Sequence, residues 1–259
     1  MHRLTITNQK GGVGKTAISV DFARYASGKK YQKKVLFLDL DVQHNGSDAL
    51  DNVTIPVPFT AYDFLTKSII ENFNYRDYEN SNLLLAKADF KLADLEKLDI
   101  VNLIETGDKN IQALSNFIDL IVIDTPPTLG MTLTVALSLS YGVLVPIEPE
   151  LSSITGAINV TNTLNSLKEK LKVDEINLLG FVINKMQNKP RQIKNVEQIR
   201  SNPILKKMLL SQTIANRDAI AESLTEHCDV RTIKKTAARK AVKELNALGD
   251  YLMHEIFKV

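Results

Sequence analysis

The chain has 259 residues, of which 44% are hydrophobic and 24% charged, and its formal net charge at pH 7 is +2. This composition suffices for one α/β domain with a sizeable core. Its single cysteine, Cys228, excludes an internal disulfide and a cluster held by several of the chain's own thiolates. We recognise no signal peptide, and the longest apolar runs have the length of strands, so we expect a cytoplasmic protein without a membrane span.

The first predicted elements surround a glycine-rich loop. Leu4-Thr5-Ile6-Thr7 alternates like a short strand, and the segment from Thr16 to Ala26 has the apolar spacing of a helix. Between them, residues 10–16 are Lys-Gly-Gly-Val-Gly-Lys-Thr. Glycines let backbone amides approach an anion, and a helix N-terminus adds partial positive charge. Strand, glycine loop and helix together therefore predict a phosphate-binding loop.

The polar side chains of this loop predict a site for a nucleoside triphosphate with Mg²⁺. Lys15 supplies a charge for the β- and γ-phosphates, and Thr16 supplies a hydroxyl for the metal ion. The usual pattern would place a glycine where Gln9 stands, and an additional lysine, Lys10, lies just inside the loop. Lys10 either stays idle in solvent or stabilises charge on a triphosphate, in its own subunit or in a partner's.

Strands and helices alternate along the rest of the chain. Apolar runs predict strands at 35–41, 83–85, 117–125, 143–147 and 176–183. Helical patterns occur around 92–103 and at 131–140 and 153–171. We expect the remainder to be mostly helical, with breaks at Pro190 and Pro203. The alternation predicts an α/β fold, with a single doubly wound, mainly parallel sheet flanked by helices in one domain over residues 1–259.

Carboxylates end two of the predicted strands, at the sheet edge where ligands bind in such folds. Asp39 and Asp41 end the strand at 35–41, and Asp124 ends the strand at 117–125. Asp41 and Asp124 would serve Mg²⁺, its water shell or the attacking water. Asp39 lies deeper than Asp41, and its role stays open between structure and function. We expect His44 to be a solvated loop residue.

Positive charge concentrates in the C-terminal third of the chain. Residues 185–243 contain 14 Lys/Arg and 5 Asp/Glu, a net charge of +9, so the rest of the chain carries −7. A polyanionic partner explains this asymmetry, and so does a solvated face whose charges find partners within the fold. Charge alone leaves both explanations open.

Three motifs in order resemble the ParA/Soj family of deviant Walker A partitioning ATPases, within the MinD/ParA superfamily: KGGVGKT, LFLDLDVQHN and LIVIDTPPTLG. The resemblance runs nearly end to end and includes TIANRDAIAES at 213–223. It implies an ATP-dependent DNA partitioning protein, cytoplasmic and nucleoid-associated. ATP would drive dimerisation and non-specific DNA binding, and slow Mg²⁺-dependent hydrolysis, stimulated by a centromere-bound ParB-type partner, would release the DNA. Since nine residues precede Lys10, we expect no N-terminal helix-turn-helix domain.

The resemblance also implies roles for individual residues. Lys10 would be the signature lysine that contacts the partner's ATP, sandwiched in a homodimer, and Lys10, Lys15 and Asp41 would form the catalytic set. Asn184 would read the adenine edge, although its spacing equally allows a turn residue. The implied nucleotide-binding residues are Lys10, Gly11, Gly12, Val13, Gly14, Lys15, Thr16, Ala17 and Asn184. The implied metal site is Thr16, Asp41 and Asp124.

The sequence departs from the family pattern at two places. Val42 replaces the proline of the family's Asp-Pro-Gln, which should loosen switch I without inactivating it. Ala215 and Asn216 stand where proline and arginine are expected. DNA binding is therefore predicted from local charge and not from matched residues. The candidates are Arg217, Lys234, Lys235, Arg239, Lys240 and Lys243.

Two other classes of the same superfamily fit less well. A MinD-like membrane-surface positioning ATPase needs a basic amphipathic C-terminal helix. Residues 243–259 contain two lysines and three acidic residues, which indicates a helix packed on the core, so we expect no membrane partner. An iron–sulfur relative would need cysteines that this chain lacks, and an amidotransferase would need a second active site that we do not find.

Overall fold

One parallel sheet organises the computed structural model, which describes residues 1–69, 73–128, 130–171, 176–203 and 205–258. Its strands are β1 (His2–Ile6), β2 (Val35–Asp39), β3 (Ile55–Pro56), β4 (Leu83–Ala86), β5 (Leu120–Asp124), β6 (Gly142–Ile147), β7 (Asn177–Met186) and β8 (Leu209–Ala215). Their order is β3-β4-β2-β5-β1-β6-β7-β8, and every pairing is parallel. The predicted α/β fold with a parallel sheet is confirmed.

Helices cover both faces of the sheet. They are α1 (Lys15–Ser27), α2 (Asn45–Leu50), α3 (Ala61–Thr66), α4 (Ile100–Leu114), α5 (Met131–Ser138), α6 (Ser152–Leu171), α7 (Pro190–Ser201), α8 (Asp218–Thr225) and α9 (Thr236–Phe257). Short 3₁₀ helices span Tyr75–Tyr78, Phe90–Lys97 and Val230–Thr232. Apolar side chains of α1, α2, α8 and α9 share one core with the sheet, and those of α3 to α7 form two cores on the other face.

The strands are continuous apolar runs because successive side chains enter opposite cores. In β2, Val35 and Phe37 pack with α1 and α9, whereas Leu36 and Leu38 pack with α3 and α4. A strand buried on both faces needs apolar residues at every position. This explains why the central strands could be predicted from the sequence alone.

Two predictions about the elements are wrong. The segment after α7 was expected to be mostly helical, but it contains the strand β8. This strand lies at the sheet edge, and its polar residues Ser211, Gln212 and Thr213 interrupt the apolar run. The strand predicted to reach Asp41 ends at Asp39, so Asp41 lies in the loop that follows β2.

The C-terminal helix packs on the core, as its sequence predicts. Its buried residues follow a helical spacing and include Ala241, Leu245, Leu248 and Leu252. Gly249 faces Tyr25 of α1 so closely that an added Cβ would lie 2.3 Å from the ring. This contact brings α9 against the helix that follows the phosphate loop. None of the helices in the described ranges is both long and apolar enough to cross a membrane.

We expect Gly249→Ala to lower the free energy of unfolding by about 1–3 kcal/mol through overpacking against Tyr25. Alanine is the better helix former by ~1 kcal/mol, so propensity alone predicts the opposite sign. Urea unfolding followed by circular dichroism measures the change. The control is Ala247→Leu at an exposed position of the same helix, which should stay within about 0.5 kcal/mol of the wild type. A more stable Gly249→Ala variant would show that α1 and α9 separate easily.

Candidate nucleotide site and basic surfaces

The glycine loop joins β1 to α1 in a conformation that requires glycine. Gly12 and Gly14 have φ angles of 76° and 91°, in the left-handed region that other residues seldom adopt. At Gly14 a Cβ would also lie 2.2 Å from the Nδ2 atom of Asn184. Gly14 therefore provides both the turn into α1 and the close approach to the end of β7.

A cleft of about 630 Å³ opens beside this loop at the carboxyl edge of the sheet. Its volume lies in the usual range for small-molecule sites. Its lining includes eight of the predicted residues: Gly11, Gly12, Gly14, Lys15, Thr16, Ala17, Asp41 and Asn184. The lining also includes residues from the end of β8, from the turn that follows it and from α8, among them Ala215, Arg217 and Ile220. Of the other predicted nucleotide and metal residues, Val13 and Asp124 are fully buried, and Lys10 does not line the cleft.

Lys15 is the cation at the start of α1. Its side chain is largely buried, and its Nζ lies 3.5 Å from the carbonyl oxygen of Lys10. Burial lowers the pKa of Lys15, while the charges of Asp124 and Asp41 oppose this shift. A poorly solvated ammonium gains more from a phosphate contact than a fully hydrated one, because less hydration is lost on binding. The position of Lys15 thus suits the phosphate role that its sequence predicts.

Asp124 is a buried carboxylate at the end of β5, and one of its oxygens lacks a hydrogen-bond partner among the described residues. Its Oδ1 accepts a hydrogen bond from the Ser19 hydroxyl at 3.0 Å, but its Oδ2 is buried and has no hydrogen-bond partner among the described residues. Burial, and then the charge of Asp39, raise the pKa of Asp124, while the nearby hydroxyls of Thr16 and Ser19 oppose the rise. A divalent cation would offset both the burial and the repulsion.

These donors fit Mg²⁺ as part of a larger shell. Thr16 and Asp124 offer hard oxygen atoms of the kind that Mg²⁺ prefers. In the described part of the chain, no group of three or more His, Cys, Asp or Glu residues forms a complete ion site. Phosphate oxygens and water would supply the remaining ligands, as is usual for Mg²⁺ bound with a nucleotide.

Asp39 positions the residues around it. Its Oδ1 accepts the backbone N–H of Asp41 at 3.1 Å. Its Oδ2 accepts both the N–H and the hydroxyl of Ser47 on α2, each at 2.7 Å. Burial raises the pKa of Asp39. The role of Asp39, which the sequence left open, is therefore structural, because its carboxylate holds Asp41 and the start of α2 in place.

Lys10 is held away from the cleft by two carboxylates. Its Nζ lies 2.6 Å from an oxygen of Glu148 and 2.6 Å from an oxygen of Glu150, both between β6 and α6. These pairs raise the pKa of Lys10 and lower the pKa of Glu150. Nearby, the Lys185 ammonium donates to the carbonyl of Gly12. In the protomer, Lys10 is thus neither idle in solvent nor directed at the cleft of its own subunit.

The side chain of Asn184 braces the phosphate loop. Its Nδ2 donates to the carbonyl of Val13 at 2.7 Å, and its Oδ1 accepts the N–H of Lys185 at 2.9 Å. It is 5% exposed. These contacts give Asn184 a structural role, and the adenine-reading role implied by the family resemblance stays a prediction.

The six candidate DNA-binding residues fall into two sets. Arg217 pairs with Glu244, and Lys235 lies 2.7 Å from a carboxylate oxygen of Glu222. The other four are exposed and have no carboxylate within ion-pair distance among the described residues: Lys234, Arg239, Lys240 and Lys243. Lys243 follows Arg239 by four residues and Lys240 by three, so the three side chains lie on the same side of α9. We call the residues Lys234, Lys235, Arg239, Lys240 and Lys243 the α9 basic group.

A second basic surface was not among the candidates. Lys189, Arg191 and Lys194 are exposed at the start of α7, and no described carboxylate lies within ion-pair distance of them. We call these three residues the α7 basic group. The signal was present in the sequence, because residues 185–207 contain seven of the 14 basic residues in the C-terminal third and one acidic residue.

Comparisons with known proteins identify the family of this chain. A family model described as an AAA domain (AAA_31) matches residues 1–177. Protein IncC of Escherichia coli is 32% identical over 258 residues, which cover 97% of this chain and 69% of IncC. The sporulation initiation inhibitor protein Soj of Bacillus subtilis is 30% identical over 66% of this chain and 68% of Soj. The chain belongs to the ParA/Soj family of partitioning ATPases.

A solved structure supports the same fold. The McdA–ATP complex from Cyanothece superposes with a TM-score of 0.78 over 97% of this chain and 96% of McdA, at 18% sequence identity. At that identity the similarity shows the fold alone. As a ParA/Soj family member, the chain is a P-loop ATPase.

We expect Asn184→Ala to weaken binding of ATP and GTP by the same factor, because the observed contacts of Asn184 brace the phosphate loop. The loss should be roughly tenfold, or about 1–2 kcal/mol for a lost hydrogen bond and an unsatisfied buried carbonyl. Titration with fluorescent analogues of both nucleotides measures it, and Asn216→Ala in the same cleft is the control. A loss confined to ATP would instead identify Asn184 as the adenine-reading residue.

Proposed function

We propose that this ParA/Soj family protein partitions DNA through an ATP-driven cycle. Mg²⁺-ATP closes two protomers on each other, and the dimer binds DNA without sequence preference. Slow hydrolysis, stimulated by a ParB-type protein bound at a centromere-like site, then releases the DNA. The observation that supports the proposal most directly is that the chain has both a phosphate loop with two lysines and exposed basic groups on α7 and α9.

The residues of the cleft divide the chemistry of hydrolysis among them. Lys15 would balance charge on the β- and γ-phosphates, and Thr16 and Asp124 would hold a magnesium ion. When bound, that ion would supply positive charge to the phosphate oxygens. Asp41 orients the attacking water, and its backbone is fixed by Asp39 for this purpose. Phosphoryl transfer depends mainly on such positioning and charge stabilisation.

Dimerisation gives Lys10 a new partner. In the protomer its charge is bound to Glu148 and Glu150, in pairs that are partly exposed to solvent. Exposed ion pairs contribute only about 0–1 kcal/mol each, so their loss costs little. The triphosphate of a second protomer presents a higher density of negative charge. ATP can favour this exchange only by binding the dimer-competent state more tightly than the open one.

DNA binding follows from the basic surfaces. The α7 basic group and four members of the α9 basic group present cations to solvent, with no ion-pair partner among the described residues. Lysine and arginine side chains on a convex surface contact phosphates and give affinity without reading sequence. Arg217 fits this role less well, because it lines the nucleotide cleft and pairs with Glu244.

The packing of α9 favours partitioning over a MinD-like membrane function. A membrane-surface helix must expose its apolar face to the bilayer. The apolar face of α9 is instead buried, and Leu245, Leu248 and Leu252 are at most 3% exposed. Binding of the protein to anionic liposomes would contradict this assignment.

We expect Lys10→Ala and Lys15→Ala each to abolish ATP-dependent DNA binding. Lys15→Ala removes the charge that binds the phosphates, and Lys10→Ala removes the contact across the dimer. Gel retardation and size-exclusion chromatography with ADP, ATP and a non-hydrolysable analogue measure both steps. The control is Lys67→Ala, which removes an exposed lysine paired with Asp63 on α3. Unchanged DNA binding in both variants would reject the mechanism.

We also expect the DNA affinity to fall steeply with salt. Each phosphate contact contributes a slope of roughly −0.9 in a plot of log affinity against log salt concentration. Arg239→Gln/Lys240→Gln/Lys243→Gln should therefore make the slope shallower by about 2–3. The matched control removes three exposed lysines elsewhere, Lys91, Lys97 and Lys109, by the same substitution. A flat salt response of the wild type would exclude phosphate-led binding.

A further inference from the structure

A buried ionic network joins α1 to the segment that precedes the α9 basic group. The guanidinium of Arg231 donates to both oxygens of Asp21, at 2.9 and 3.2 Å. It also bonds to Asp229 at 3.0 Å and to Asn246 of α9 at 2.9 Å, and it lies 4.9 Å from the centre of the Tyr25 ring. The pair is largely buried, since the side chains of Arg231 and Asp21 are 23% and 12% exposed.

Arg24 extends the network to α2. Its Nη2 donates to the carbonyl of Ala49 at 2.6 Å, and its Nη1 donates to the carbonyl of Cys228 at 2.5 Å. One side chain of α1 therefore holds the end of α2 and the turn that precedes Asp229. The third donor of Arg24, Nε, is buried and has no partner among the described residues.

One side of this network leads to the nucleotide. The helix α1 begins at Lys15, and Asp21 and Arg24 follow it by about 9 and 14 Å along the helix axis. The helix α2 begins four residues after Asp41. Arg24 therefore lies on one helix that begins at the phosphate loop and contacts the end of a second helix that begins near Asp41.

The other side leads to the α9 basic group. Arg231 precedes Lys234 by three residues, and its partner Asn246 lies on the helix that carries Arg239 and Lys243. A displacement of Arg231 therefore moves both the start of the basic group and the helix beneath it. The network is thus continuous from the nucleotide cleft to the basic surface.

We propose that Asp21, Arg24, Asp229 and Arg231 are positioning residues that couple the nucleotide state to the orientation of the α9 basic group. This inference rests on the proposed function and adds a route of regulation to it. Arg231 and Asp21 form a rigid link, because separating them would leave a buried charge without a partner. Arg24 forms a switchable link, because its two bonds go to neutral carbonyls and its buried Nε lacks a partner. A shift of α2 can satisfy that donor.

The test compares DNA affinity in two nucleotide states. The variants are Arg24→Met and the double variant Asp21→Leu/Arg231→Met, which replaces the buried pair by apolar side chains of similar size. Such replacements tend to keep stability, and thermal unfolding verifies this. The control is Lys67→Met, which removes a cation from an exposed pair. Fluorescence anisotropy gives the ratio of DNA affinities with a non-hydrolysable ATP analogue and with ADP.

In the wild type we expect a ratio within the usual range for coupled sites, about 5–150. In both network variants the ratio should fall to about 1–3, while the affinity for the nucleotide alone changes less than about twofold. The control should keep the wild-type ratio. A folded variant with the wild-type ratio would show that the network is only structural and would overturn the inference.

A second measurement separates this inference from the proposed function. Hydrogen exchange of residues 228–243 is compared with ATP analogue and with ADP, in the absence of DNA. Nucleotide-dependent protection in the wild type that is lost in the variants supports the coupling, even where DNA binding itself fails. Equal protection in both nucleotide states of the wild type rejects the coupling and leaves DNA binding to be judged separately.

Discussion

Two carboxylates buried at the ends of adjacent strands are the constraint on which the nucleotide site depends. Parallel pairing of β2 with β5 places Asp39 beside Asp124, and neither side chain is exposed. Uncompensated, such a pair would be costly, because burial and mutual repulsion both disfavour its charge. Hydrogen bonds donated by Ser19, Ser47 and the backbone N–H of Asp41 offset part of this cost. The other oxygen of Asp124, its Oδ2, is left without a hydrogen-bond partner among the described residues.

The buried carboxylate of Asp39 also links the segments around the site. Asp39 fixes the start of α2 through Ser47, and the Ser47 hydroxyl also accepts the N–H of Ala88 after β4. The loop that contains Asp41 is therefore anchored on both sides, although it lacks the proline that relatives carry. Because Val42 stands where that proline would be, the position of the loop depends on the buried carboxylate of Asp39 and not on a rigid proline ring.

The sequence predicted most of the sheet, because central strands must be apolar on both faces and end in functional groups. It failed at β8, where an edge position tolerates Ser211 and Gln212 and so hides the strand pattern. The phosphate loop was equally clear, because its glycines and lysines lie within seven consecutive residues. Local sequence contains the information for such a site.

Contacts between distant segments could not be predicted in this way. Lys10 meets Glu148 and Glu150 across some 138 and 140 residues, and no spacing rule links them. The hydrogen bond from Asn184 to Val13 joins residues 171 positions apart, and it forms because β7 ends beside the phosphate loop. The family resemblance implied a role for Lys10 and for Asn184, but not the partners that hold them in the protomer.

The pairing of Lys10 has a further consequence for the lone subunit in a cell. A loop rich in backbone amides and lysines attracts anions in general. Glu148 and Glu150 beside that loop offset the charge at its outer rim. Of the two loop lysines, Lys15 is therefore the one without a carboxylate partner among the described residues, and it lines the cleft where a ligand would meet it.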